Sequence, residues 1–177
     1  MPEIFGNFEW ADFWEVSDYA NEMYVDGMPD PNIINAVHAE LGYTLPKSYI
    51  ELARHQNGGF PKRCCHRDAS RASWSSNHIA ITGIFSIGHR KPASLCGEWG
   101  QQLWIEKWGY PTIGVYFADC PSAGHDMLCL DYRECGADGE PQVVHVDQEI
   151  DYRITFVAAT FEAFIHGLQE CEAFGIE

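Results

Sequence analysis

Tyr110-Pro111-Thr112-Ile113-Gly114-Val115-Tyr116-Phe117-Ala118-Asp119-Cys120-Pro121-Ser122-Ala123-Gly124-His125-Asp126-Met127-Leu128-Cys129-Leu130-Asp131-Tyr132 reads as two strands with a sharp turn between them. Ile113, Val115 and Phe117 alternate with Gly114 and Tyr116, a pattern suited to a strand buried on both faces. Pro121, Ser122 and Gly124 punctuate the turn. Leu128, Leu130 and Tyr132 then alternate with Met127, Cys129 and Asp131. Two carboxylates and an imidazole, Asp119, Asp126 and His125, are thereby gathered at the tip of an apolar hairpin.

Downstream, the turn-forming run 135–141 separates this hairpin from Gln142-Val143-Val144-His145-Val146, predicted as its antiparallel neighbour. A further short strand is expected at 154–157. Thr160 then caps a last helix whose buried stripe is Phe161, Phe164, Ile165 and Leu168. Upstream, Trp10, Phe13, Trp14 and Ala20 fall near helical spacing and predict one helix over 9–24. Asp30-Pro31 starts a second helix with the stripe Ile33, Ile34, Val37 and Leu41, and Gly42 stops it. Leu45-Pro46 restarts a third, with Tyr49, Leu52 and Ala53 inward, ended by Asn57-Gly58-Gly59, where glycine tolerates positive φ. His55 falls in its last turn, next to the carbonyl ends, a structural position for a cation. Residues 62–77, with Arg63, Arg67 and Arg71 among serines, read as a polar loop, and 79–85 as one strand. Residues 88–97 read as irregular. A short helix carrying Leu103, Trp104 and Ile105 is expected within 99–108.

Helices first, then a run of strands, then one closing helix is an α+β pattern: a central, mostly antiparallel sheet with helices packed on it. The 177 residues fit a single domain spanning 1–177. No apolar run approaches the ~20 residues that cross a bilayer, and residues 1–10 lack the pattern of a secretory signal. Seven cysteines in a chain without that signal predict reduced thiols and a cytoplasmic location. Cys129, between two leucines, is expected in the core.

The net charge of −15 argues against direct binding of nucleic acid and favours fast association with a basic partner. For catalysis, the best nucleophile–base pair is Cys120 with His125, but no G-x-S-x-G elbow accompanies it, and Gly58-Gly59 lacks the Lys-Ser/Thr of a phosphate loop. A metal-dependent enzyme would use Cys120, His125 and Asp126. Against a metal centre, Cys120, His125, Cys129 and Cys135 do not form C-x₂₋₄-C knuckles, and the adjacency of Cys64, Cys65 and His66 keeps both thiols from one ion. The residues therefore predict no enzyme, no metal and no cofactor.

Leu41-Gly42-Tyr43-Thr44-Leu45-Pro46-Lys47-Ser48-Tyr49-Ile50-Glu51-Leu52, followed by Asn57-Gly58-Gly59, resembles the "LG..LP..Y.....NGG" signature of the Smi/Knr family in the SUKH superfamily. Ala118-Asp119 through Gly124-His125-Asp126, then Leu130-Asp131, resembles the family's Gly-Asp strand and Leu-Asp pair, and Phe161-Glu162-Ala163-Phe164 its closing helix. The resemblance covers about residues 30–168. It implies helices on a central sheet, with Leu45, Pro46, Tyr49, Asn57, Gly58, Gly59, Gly124, Asp126, Asp131, Phe161 and Phe164 as structural positions. Segments 62–77 and 99–108 look like additions to the shared pattern.

By that resemblance the chain is expected to be a non-enzymatic protein-binding module. Bacterial members of the family are largely associated with immunity to polymorphic or contact-dependent toxins, many of them nucleases. The alternative is the role of the yeast namesake, a regulator or scaffold of cell-wall synthesis with an endogenous protein partner. The expected partner is a basic toxin domain, with neither nucleic acid nor membrane bound directly. Acidic residues Asp119, Glu134, Asp138 and Glu140, with His125, are the expected docking positions, and Asp147 and Glu149 extend the acidic set. Trp99 and Trp104, with Trp108, are the expected aromatic anchors, a core role being foreseen for at least two of the three. Asp126 is expected to accept backbone N–H bonds within its turn.

Overall fold

A computed structural model describes residues 3–67, 75 and 77–175. The part of the 62–77 loop at 68–74 and 76 lies outside the described residues. In chain order the elements are α1 (Asp18–Met23), α2 (Pro31–Leu41), α3 (Lys47–His55), β1 (Cys65–Arg67), β2 (His78–Ala80), β3 (Gly83–Ile84), β4 (Gly114–Asp119), β5 (Asp126–Asp131), β6 (Gln142–Asp147), β7 (Arg153–Ala158) and α4 (Phe161–Gly167). Strands β3 to β7 form one antiparallel five-stranded sheet in sequence order, and β1 pairs with β2 in a separate ribbon. The α+β expectation is met.

The central hairpin has the predicted form. Tyr116 pairs with Cys129 and Val115 with Leu130, and residues Gly114 to Ala118 and Met127 to Leu130 are buried. Cys129 is wholly in the core. Helices α3 and α4 cover this sheet through aromatic rings. Phe117 of β4 meets Phe161 and Phe164 of α4 edge-on, each with centroids 5.5 Å apart, and Tyr49 of α3 lies 4.7 Å from Phe161. Tyr49 then disposes of its one polar group by donating its hydroxyl to the Phe85 carbonyl at 2.6 Å.

Local chemistry sets the helix ends. Asp30 accepts from the Ile33 amide and Thr160 from the Ala163 amide, each satisfying a donor that the first turn leaves over. Gly42 closes α2 in the left-handed conformation. Asn57 is buried and acts as a bracket: its Oδ1 accepts from Ile87 N at 2.7 Å while its Nδ2 donates to the carbonyls of Gly27 and Ile87. Gly58 beside it has φ +90, and a Cβ there would sit 2.5 Å from the Tyr24 carbonyl oxygen. Only glycine fits that approach.

Five expectations are corrected. The helix over 9–24 is broken into a 3-10 turn, Trp10–Asp12, and α1, which Ser17 caps by accepting from the Ala20 amide. The apolar run 79–85 is two strands in two sheets, because the Ile81 amide bonds Cys64 O while the next amide, Thr82, bonds Asp119 O. The loop over 62–77 contains β1. The reduced-thiol expectation fails for Cys65 and Cys171, which form a disulfide. That bond joins β1 to the 3-10 turn Cys171–Phe174, alongside reciprocal backbone bonds between Cys65 and Gln169. The expected helix within 99–108 is a π-helical turn, Leu103–Lys107.

Candidate functional site

The turn from β4 to β5 is held from every side. The Ser122 amide bonds Cys120 O at 2.7 Å, and the Asp126 amide bonds Ser122 Oγ at 3.1 Å. Ser122 Oγ donates to Asp126 Oδ1, and His145 Nε2 lies 2.7 Å from Asp126 Oδ2. Asp126 is thus met by the Ser122 hydroxyl and by an imidazole from β6. Tyr110 donates its hydroxyl to the Gly124 carbonyl at 2.6 Å. Ala123 and Gly124 are both left-handed, with φ 56 and 95.

Asp119, the last residue of β4, is drawn inward. Its Oδ2 accepts from the Tyr24 hydroxyl at 2.6 Å and its Oδ1 from the Gly83 amide at 3.1 Å. Burial pushes its carboxyl up to about 6, although both donors favour the charged form. Burial, with the Asp119 charge second, raises the Tyr24 phenol far above its ordinary value, so Tyr24 is the donor.

Beside this turn lies a cleft of about 240 Å³ lined by Phe85, Trp99, Leu103, Trp104 and Trp108 and, from the turn, by Asp119, Cys120, Ala123 and Gly124. One wall comes from the π-helical turn: Trp104 within it and Trp108 just after it lie with rings tilted by 50° and centroids 5.6 Å apart. Trp104 is buried and donates its Nε1 to the Trp99 carbonyl at 2.7 Å, whereas Trp99 and Trp108 are half-buried. A Cβ on Gly124 would lie 2.8 Å from the Trp104 ring and 3.1 Å from that of Trp108. The absence of a side chain there lets the indoles close on the turn.

The rim is polar. His125 is exposed, packs edge-on to Trp108 at 5.9 Å, and is paired with Glu149 and Gln148. A second left-handed pair, Asp151 and Tyr152 with φ 53 and 56, follows on the same side, and Tyr152 donates its hydroxyl to the Trp108 carbonyl. Glu149 is exposed there, while exposed Glu98 and Glu106 line an adjoining cleft that shares Leu103.

Of the positions read from sequence, the fold brings Trp99, Trp104, Asp119, Gly124 and His125 to this one cleft and rim. Glu134, Asp138 and Glu140 lie in the β5–β6 connection, and consecutive connections of an antiparallel meander fall at opposite ends of the sheet. There Asp138 accepts from Thr44 Oγ1 at 2.6 Å, and burial followed by the nearby Glu162 charge raises the Glu140 carboxyl. Asp131 is buried; burial opposes its charge, but Arg133 and Gln142 bond it and hold its carboxyl below the ordinary range. Tyr24 and His145, the partners of the two hairpin carboxylates, are not among the positions singled out by sequence. Both are contacts across the chain with no local signal.

Burial, then the charges of Asp126 and Asp119, hold the Cys120 thiol well above its ordinary value, which disfavours the thiolate. Ser122 Oγ is engaged by the Asp126 carboxylate, and His125 faces Glu149. Among the described residues, three groups bring ligand atoms within 4.8 Å of one another: Cys64 with Cys65 and Cys171, Glu40 with His89 and Cys96, and Cys120 with Asp126 and His145. The last is wholly buried and differs from the expected set, with His145 in place of His125. In the second, His89 and Glu40 are an exposed pair 2.6 Å apart, and burial, then Glu40, pushes the Cys96 thiol up to about 12. The first overturns the argument from adjacency: Cys64 and Cys65 both reach Cys171.

The family model described as the SMI1 / KNR4 family (SUKH-1) matches residues 28–167. No curated protein matches the chain.

Proposed function

The chain belongs to the SMI1/KNR4 family (SUKH-1), and from that premise we propose that it is a non-catalytic immunity protein that neutralises a basic toxin domain by docking over the toxin's active site. The observation that carries this reading is the aromatic cleft with half-buried Trp99 and Trp108, where exposed Glu149 is held at the rim by His125 and exposed Glu98 and Glu106 line the adjoining cleft that shares Leu103. Such a site has the anatomy of a binding hot spot, a few aromatic anchors inside a polar rim. The net charge of −15 supplies long-range attraction to a cationic partner, and it raises the rate of encounter more than the final affinity. The strained turns at 123–124 and 151–152 flank the same cleft, and strain of this kind gathers where a surface is shaped for a ligand.

The test uses the full chain as bait in native lysate, beside the double variant Trp99→Ala/Trp108→Ala. One stoichiometric basic protein with nuclease or related toxic activity, recovered by the parent and lost with the variant, is the expected result. Loss of two anchors should weaken binding at least about 30-fold, or roughly 2 kcal/mol. Recovery of a cell-envelope assembly would favour the regulatory role, and equal recovery by the variant would move the docking face elsewhere.

A further inference from the structure

Three sulfurs meet where β1 joins the C-terminal turn. Cys65 is bonded to Cys171, and Cys64 Sγ stands 3.3 Å from Cys171 Sγ. A covalent staple between these segments needs two sulfurs, and the third is held beside them by backbone bonds. The Cys64 carbonyl accepts from the Ile81 amide at 2.8 Å, while Cys65 is tied to Gln169 on both its backbone groups. Cys64 precedes the strand and escapes its alternation, so adjacent residues deliver both side chains to one point.

We propose that, once the Cys65–Cys171 bond is reduced, Cys64, Cys65 and Cys171 form a binding site for one zinc(II) ion. Zinc–thiolate bonds of about 2.3 Å in a tetrahedron set sulfurs about 3.8 Å apart, and the three sulfurs already lie within 4.8 Å of one another. Bringing Cys65 and Cys171 from bonding distance to that spacing is a matter of χ1 rotation, aided by the position of Cys171 in a short terminal turn. The fourth position falls to water or a carboxylate, and Glu15 and Glu172 both act electrostatically on Cys64. Their charge favours a divalent cation.

The chemistry balances in two steps. A dithiol reductant transfers two electrons and two protons, leaving two thiols here and a cyclic disulfide on the reductant. Zinc then replaces the three thiol protons, which pass to solvent. Disulfide and ion compete for the same sulfurs, so the site is loaded only under reducing conditions. It lies apart from the aromatic cleft and stands or falls independently of the partner proposed above.

The test titrates zinc, and cobalt(II) as its spectroscopic stand-in, into the anaerobically reduced full chain, the oxidised full chain, and the reduced variants Cys64→Ser and Cys96→Ser. Cys64→Ser retains the disulfide pair, so its fold can be verified before reduction. One ion with thiolate-to-cobalt charge-transfer bands is expected for the reduced parent and for Cys96→Ser, and none for the oxidised chain. Loss of an outer-shell partner alone costs about 10–100-fold in metal affinity, so removal of the Cys64 ligand is expected to cost at least about 100-fold. Zinc should also slow re-formation of the Cys65–Cys171 bond. Equal affinity in Cys64→Ser, loss that follows Cys96, absence of binding by the reduced parent, or a reduced parent that stays unfolded with zinc would each overturn the proposal.

Discussion

Tyr24 donates its hydroxyl proton to Asp119 at 2.6 Å, joining the residue that caps α1 to the last residue of β4 across 95 positions of chain. This one bond fastens the N-terminal segment to the sheet and fixes the carboxylate that lines the aromatic cleft. A hydrogen bond to a charged acceptor contributes about 1.5–3 kcal/mol, so Tyr24→Phe should lower stability by that order. Urea unfolding measures it; a loss below about 0.5 kcal/mol would show that the bond is dispensable.

Asp119 should shape the dependence of stability on pH. Its carboxyl is raised from 3.8 to about 6, chiefly by burial, so the folded chain holds a proton there that the unfolded chain has released. Stability from this group is therefore greatest below the unfolded value and declines as pH rises toward about 6, then levels. Asp119→Asn should flatten that slope in thermal denaturation between pH 4 and 6 relative to the parent. An unchanged slope would assign the effect to another group.

Gly124→Ala should disturb the cleft without touching the core beneath α3 and α4. The new Cβ would meet Trp104 at 2.8 Å in a backbone with φ +95. Left-handed strain alone costs about 1–2 kcal/mol, and the indoles must retreat as well. A shift in tryptophan emission together with a lower midpoint in denaturant is expected; native emission would mean that the rings yield freely.

Phe117→Ala removes the ring on which Phe161 and Phe164 close. Truncation of a buried phenylalanine costs about 3–5 kcal/mol. Chemical denaturation should show the loss, and Phe117→Leu should recover most of it.

Association with a cationic partner should slow as salt rises. A chain of net charge −15 steers its encounter over distances that ions screen, with a Debye length near 10 Å at about 0.1 M. Stopped-flow mixing should show an on-rate falling roughly tenfold or more from low to high salt. A flat profile would remove steering from the account.

Capping chemistry and the period of the apolar residues are local, and they made much of this fold legible. Asp30, Pro31 and Gly42 bound α2 as their conformational preferences require, and the alternation of 113–132 gives β4 and β5. The misreadings share a cause. Trp10, Phe13 and Trp14 sit at helical spacing, yet a 3-10 turn carries Trp10, Phe13 caps it, Trp14 bridges to Pro61, and the N-cap preference of Ser17 outweighs continuity. The run 79–85 is apolar on both sides of Thr82-Gly83 because both sheets it visits are buried, and that brief interruption is the one mark of the transfer at Ile81–Thr82. At the cleft, the indoles and the turn are visible in sequence, but the pairings of Asp119 with Tyr24 and Asp126 with His145 depend on tertiary placement.

The sheet order also governs how the molecule assembles. From β4 to β7 each strand lies beside the one that follows it in the chain, so hairpin closure can proceed by short loops with little entropic penalty. The long-range closures, Tyr24 onto Asp119 and Cys171 onto Cys65, bring outlying segments to a sheet that need not wait for them. The expected kinetic signature is a folding nucleus centred on β4–β6, with high φ-values at Val115 and Leu128 and values near zero at Tyr24. The N-terminal segment would then dock last on refolding and peel away first on unfolding, opening the floor of the aromatic cleft before the core gives way.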